Sequence, residues 1–181
     1  PDDEKAVVQL RNVRYLYDND LGLPSFETAF QLPGELGVSG TLAVPIDTRS
    51  ASAWLEIANT SRRVTREVTV TIFSAEGASA GSIQLQLAPH ASHHVDVGSI
   101  LPGQRGLAVV SGNSIMAVAM QYERRADLSI SQMYGIPARA PSGDVLRGSY
   151  NTFLGQTSEL LVLNLGQESE ANVTITRSDG T

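Results

Sequence analysis

All three histidines of the chain fall in one stretch, His90-Ala91-Ser92-His93-His94, followed directly by Val95-Asp96. Neutral imidazole nitrogens are ligands for zinc, copper or nickel, which makes His90 and His93 candidate metal ligands. A strand running through this stretch places His93 and His94 on opposite faces, so the cluster cannot converge as a whole. An exposed strand start after Pro89 accounts for the same residues and is the expected reading. A second pattern, Asp18-Asn19-Asp20-Leu21-Gly22, has the Asp-x-Asp-x-Gly opening of a calcium loop. There, short oxygen-bearing side chains such as Asp18 and Asp20 converge on a hard cation and glycine permits the bend. The later ligands of a full loop do not follow, because Leu23-Pro24-Ser25-Phe26 intervenes before Glu27. Asx and Gly residues also make plain hairpin turns, and a turn is the expectation. Gly77-Ala78-Ser79-Ala80-Gly81 fits the Gly-x-Ser-x-Gly spacing of a nucleophile elbow. That motif needs a strand-to-helix turn that exposes the serine; here it lies between two strand patterns, and Ser79 falls in a hairpin. The expectation is no catalytic residue, no cofactor and no resident metal.

Trp54, Tyr122, Tyr134, Tyr15, Tyr17 and Tyr150 have faces that could stack on pyranose rings. Aromatics make up only 6% of the chain and are thinly spread, so core packing and sheet pairing are their expected roles. Asn59 and Asn172 each fit a glycosylation acceptor.

Hydrophobic residues make up 41% of the 181 residues, enough for a real core, while only 18% are charged. The abundance of Thr, Ser, Val, Gly and Ala suits sheets with polar outer faces. Net charge is -6, Lys5 is the sole lysine, and arginines pair only at Arg62-Arg63 and Arg124-Arg125. Without a basic face, nucleic acid and anionic membrane are poor partners. The chain has no cysteine, which excludes disulfides and thiolate chemistry and is compatible with a bacterial exported protein. The longest apolar run, residues 115–120, is far too short for a bilayer span. Pro1-Asp2-Asp3-Glu4 lacks the basic and apolar parts of a signal peptide.

Period-two alternation dominates and predicts strands. Leu55 and Ile57 alternate with Glu56 and Ala58; Val68, Val70 and Ile72 with Thr69 and Thr71; Ile83, Leu85 and Leu87 with Gln84 and Gln86. Val95 and Val97 flank Asp96, residues 107–110 form an apolar run, and Met116, Val118, Met120 and Tyr122 share a strand face. A less regular strand carries Leu128, Ile130, Gln132 and Tyr134. Turn chemistry at Glu76-Gly77, Ala88-Pro89, Leu101-Pro102-Gly103, Ser111-Gly112-Asn113 and Arg125-Ala126-Asp127 separates these runs. Short strands at this spacing predict an antiparallel sandwich or barrel.

The chain also repeats itself. Leu55-Glu56-Ile57-Ala58-Asn59 and Val68-Thr69-Val70-Thr71 return, 105 positions later, as Leu160-Leu161-Val162-Leu163-Asn164 and Val173-Thr174-Ile175-Thr176. Each pair then runs to an acidic turn ending in Gly77 or Gly180. A weaker match relates Arg14-Tyr15 and Asp20-Leu21 to Gln121-Tyr122 and Asp127-Leu128. Residues 1–38 then read as closing strands of one unit, 39–139 as a complete β-sandwich repeat, and 140–181 as a linker and the opening strands of another.

Within the central unit come Leu87-Ala88-Pro89-His90, Val95-Asp96-Val97, Leu101-Pro102-Gly103, Val109-Val110-Ser111, Ile115-Met116-Ala117-Val118 and Tyr134-Gly135-Ile136-Pro137-Ala138. This order resembles the tandem β-sandwich repeats of large secreted and cell-surface bacterial proteins, which are mostly uncharacterised and adhesin-like. The resemblance implies an all-β, antiparallel β-sandwich repeat module, one complete copy flanked by partial copies. It implies a structural or adhesive role at the cell surface or outside the cell, with other copies of the repeat, a glycan or a surface protein as partner. It brings no catalytic motif, and the histidine cluster departs from its small polar residues at that point. The alternative expectation is a glycan- or calcium-dependent binding module. The two incomplete ends are expected to pair, within one chain or head to tail between chains, as exposed apolar strands favour association.

Overall fold

The computed structural model describes residues 9–18, 23–33, 37–49, 51–126, 129–141, 160, 162, 164, 170 and 172–175. Among them the chain is all-β and antiparallel, with no helix. Nine strands follow in order: β1 (Gln9–Asp18), β2 (Leu23–Pro33), β3 (Val38–Asp47), β4 (Ala51–Asn59), β5 (Arg66–Ser74), β6 (Ser79–Leu87), β7 (Ser92–Asp96), β8 (Arg105–Arg124) and β9 (Ile130–Pro137). β1 and β2 form a hairpin of their own; the other seven share one sheet.

The sheet is organised by β8, whose 20 residues are far more than a usual strand. Its first half lies between β3 and β5, with Val110 opposite both Leu42 and Val70. Its second half lies between β4 and β9, with Met120 opposite both Trp54 and Gly135. The Ser111-Gly112-Asn113 turn expected between two strands is therefore a bend inside one. Ser114 takes φ 53, and the pairing with β3 slips between Val38 and Gly40. Before the bend Ala108 and Val110 face the core; after it Ile115, Ala117 and Ala119 do. The parity changes because the bend inserts an extra residue, as a bulge does. Thr60 holds the bend in place, donating from both its N–H (2.8 Å) and its Oγ1 (2.9 Å) to the Ser114 carbonyl.

Both halves consequently turn their apolar rows to one interior. Leu42, Val44 and Ile46 of β3, Leu55 and Ile57 of β4, and Val68, Val70 and Ile72 of β5 meet there with Val95, Val97 and Leu101. The alternation predicted for Val68, Val70 and Ile72 is present: all three are buried and Thr69 and Thr71 lie on the other face. The opposite face of the second half is covered as well. There Val118 and Met120 pack with Leu32 of β2, flanked by Met116 and Tyr122. The Met116–Tyr122 row is thus the outer face of its strand, and Leu32 of the hairpin packs on it. Beyond β9, Arg139 exchanges backbone hydrogen bonds with Ala43 at 2.7 and 2.9 Å, joining the end of this segment to β3.

At residues 160, 162, 164 and 172–175 there is no strand, and Leu160, Val162, Val173 and Ile175 are exposed. The rest of the second sequence block, with Leu161, Leu163, Thr176 and Gly180, lies outside the described residues, as do Asp20 and Tyr150.

Candidate functional site

β4 and β7 pair so that alternate residues of both strands face outward in one row. Leu55, Ile57 and Val95 point into the core, which turns Trp54, Glu56, His94 and Asp96 the other way. In register, Trp54 stands opposite Asp96 and Glu56 opposite His94. The His94 Nε2 lies 3.7 Å from Glu56 Oε1, too long for a hydrogen bond but close enough for an ion pair when the imidazole is protonated. Trp54 keeps 38% of its surface exposed although it sits in the second position of the sheet. An indole face bordered by carboxylates and an imidazole is suited to stack on the C–H face of a sugar and hydrogen-bond its hydroxyls. Groups on this open strand face offer stacking and hydrogen bonding to a ligand.

The histidine cluster is dispersed as strand geometry requires. His93 shares the inward parity of Val95 at the exposed sheet edge, and His94 faces out toward Glu56. His90 lies outside β7 altogether. It occupies the third position of the Ala88–Ala91 turn, closed by the Ala91 N–H on the Ala88 carbonyl at 3.0 Å, and has φ 59. Proline before a positive-φ residue is the type II arrangement, in which glycine or asparagine normally stands at His90's position. Among the described residues no group of three or more His, Asp or Glu is placed to hold a metal. Asp18 ends β1, and Asp20 lies outside the described residues. Ser79 begins β6 after a tight turn in which the Gly77 N–H reaches the Ser74 carbonyl at 3.0 Å. It is exposed, with a strand on either side of the turn in place of a nucleophile elbow's helix.

The buried polar side chains work on the backbone. Asn59, 1% exposed, donates from Nδ2 to the carbonyls of Val64 (2.8 Å), Leu87 (2.9 Å) and Ala88 (3.0 Å). Its Oδ1 accepts the Ser61 N–H at 2.9 Å. One carboxamide so ties the end of β4 to its own loop and to the end of β6, as asparagine at a strand end is expected to do. This burial also withdraws Asn59 from glycosylation in the folded chain, whereas Asn172 is exposed. The second buried amide, Gln121, accepts a short hydrogen bond from the Tyr134 hydroxyl across the β8–β9 pair. Burial, then the charges of Glu123 and Asp47, push the Tyr134 phenol above its ordinary range.

Asp47, at the end of β3, sits at the centre of an ion cluster. Arg49 binds it through Nη2 at 2.6 Å, Nε at 3.0 Å and its backbone N–H at 3.0 Å, and Arg105 Nε approaches at 3.1 Å. The Arg49 side-chain bonds, opposed by partial burial and aided by Arg105, hold this carboxyl well below the usual range. Nothing in the sequence marks Gln121 as buried or Asp47 and Arg105 as paired. The Asp47–Arg105 register is a cross-strand pairing between positions 58 residues apart, and no local pattern marks it.

No family model matches the chain, and no curated protein matches it. Among solved structures it is similar to the crystal structure of Thermotoga maritima 1070, at 12% identity and a TM-score of 0.46, over 59% of this chain and 98% of that one.

Proposed function

We propose that this chain is a non-catalytic structural or adhesive β-sandwich repeat of a bacterial surface or secreted protein, acting outside the cell and associating with other copies of itself. The observation that carries this reading is the use of its polar groups. Among the described residues, the buried polar side chains Asn59 and Gln121 hold strands and loops together, while all three histidines sit at the surface without converging. A catalytic site needs a nucleophile or base held by a second group in a partly desolvated pocket. Copies of such a unit add length, and weak contacts multiply by avidity. Light scattering across a concentration series is expected to show reversible association. A hydrolase or transferase activity abolished by one conservative substitution would overturn the non-catalytic reading.

The Trp54 row favours a second reading, a glycan-binding module. A glycan array should then give hits that Trp54→Ala removes with the melting temperature unchanged, and calorimetry with calcium would show whether Asp18 and Asp20 contribute. The absence of both hits and heat would remove this reading.

A further inference from the structure

β6 ends the sheet: among the described residues it pairs with β5 on one side and with no strand on the other. Alternate residues of such a strand turn N–H and C=O groups outward, a template for another strand. Natural edges are commonly blunted by shortness, charge or proline. β7, the other end of the order, is blunted: five residues long, it carries His93, His94 and Asp96. β6 has nine residues, Ser79-Ala80-Gly81-Ser82-Ile83-Gln84-Leu85-Gln86-Leu87, with neither charge nor proline. Its inward-facing Ile83 and Leu85 pack on the core yet stay only half-buried, so the core is open along this edge.

The chain carries a strand that fits. Residues 173–176, Val-Thr-Ile-Thr, repeat the pattern of residues 68–71 in β5, the natural partner of β6. In β5 the register sets Val68 beside Leu85, Thr69 beside Gln84 and Val70 beside Ile83. The equivalent residues Val173 and Ile175 are 58% and 70% exposed, and no strand forms at 172–175. The chain's own segment therefore does not occupy β6.

Resting on the self-association reading above, we propose that the free edge of β6 is the docking site for residues 172–175 of a second copy of this chain. The incoming segment adds as an antiparallel strand, Val173 beside Leu85, Thr174 beside Gln84 and Ile175 beside Ile83. Main-chain hydrogen bonds supply the affinity and the two apolar side chains the register. The contact is heterologous, each copy offering one edge and one strand, so it propagates head to tail unless rotation closes a ring.

The chain has no cysteine, which allows a clean trapping test on the full chain. Directly opposed residues in paired strands have Cα separations of about 4.5–5.5 Å, within the range a disulfide spans. A Gln84→Cys chain mixed with a Thr174→Cys chain and oxidised should give a linked heterodimer well in excess of either homodimer. Val173→Lys with Ile175→Lys, at positions already exposed, should weaken association at least tenfold and leave the melting temperature unchanged. Association that persists in the lysine variant, with no cross-link between the cysteine chains, overturns the β6 site and leaves self-association standing on another surface. A Gln84→Cys/Thr174→Cys chain that closes on itself as a monomer at high dilution overturns the second-copy assignment. A wild-type chain monomeric at every concentration overturns both the docking site and self-association, without touching the non-catalytic reading.

Discussion

Replacing Asn59 by alanine should destabilise the protein by about 4 kcal/mol, on the following count. Its amide hydrogens serve three carbonyls at 2.8–3.0 Å and its oxygen takes the Ser61 N–H at 2.9 Å. Two donated hydrogens and one accepted bond, at a net of about 1 kcal/mol each, come to about 3 kcal/mol. The Leu87 bond is fully buried, and a buried carbonyl left unmet costs a further ~1–3 kcal/mol. Val64, Ser61 and Ala88 are bonded at part-buried positions that water can reach once the side chain is gone, which keeps the sum near the lower end. With a urea m-value of about 2 kcal/mol/M, the midpoint should fall by about 2 M. Asn59→Asp makes the test specific. It preserves size and the acceptor for Ser61 but sets a carboxylate oxygen against three carbonyls, so burial and repulsion raise its pKa in the folded state. Stability tied to a raised pKa is fully present below the unfolded value of about 4 and is lost as pH rises through the folded value. The aspartate variant should therefore recover toward wild type on acidification, and the alanine variant should not. Midpoints of both variants within about 0.3 M of wild type at neutral pH would refute the account of Asn59 as the tie between β4 and β6.

Val70→Asp should cost several kcal/mol, about 3–5, because an unpaired carboxylate replaces a side chain with no exposed surface, and an unchanged denaturation midpoint would contradict the β5 register. Gly106→Ala should be comparably severe, since an added Cβ would stand 2.0 Å from the Phe73 carbonyl oxygen, so β5 and β8 must separate; thermal melts and amide exchange across that pair would report it. For Tyr134 the folded phenol is held above its ordinary value by burial and by the charges of Glu123 and Asp47. Its contribution is complete below the unfolded pKa of about 10 and declines as pH climbs through the folded one. Stability should therefore fall on the alkaline side in wild type and fall less in Tyr134→Phe, as read from urea midpoints between neutral and strongly alkaline pH.

Much of the architecture is legible in single strands. Val68, Val70 and Ile72 announce β5 and its buried face, because a half-buried strand must alternate and β-branched residues suit it. The β5–β6 hairpin shows in Glu76-Gly77, where φ 84 calls for glycine. Asn59 was legible as a strand-end residue that bonds nearby backbone, since asparagine competes locally for such groups. Dispersal of the histidines was also readable, from the period of two.

The chain's local chemistry thus determined an all-β, antiparallel protein with a hydrogen-bonding asparagine at a strand end. Tertiary structure decided what local chemistry leaves open. Ser111-Gly112-Asn113 has turn composition, yet bonds from β3, β5 and β4 to the residues around it carry β8 straight through as a bent strand. A Gly-Asn pair permits either outcome, and neighbouring strands far away in sequence select one. The Met116–Tyr122 row looked like any apolar strand face; among the described residues, Leu32 of a distant hairpin is what packs on it. Trp54 became an exposed neighbour of Asp96, and Gln121 a buried partner of Tyr134, through pairings of positions 42 and 13 residues apart. Local sequence carries the tendency of each segment to be a strand, but which strands meet, and so which side chains share a surface, is set by long-range hydrogen bonding and burial of a common core.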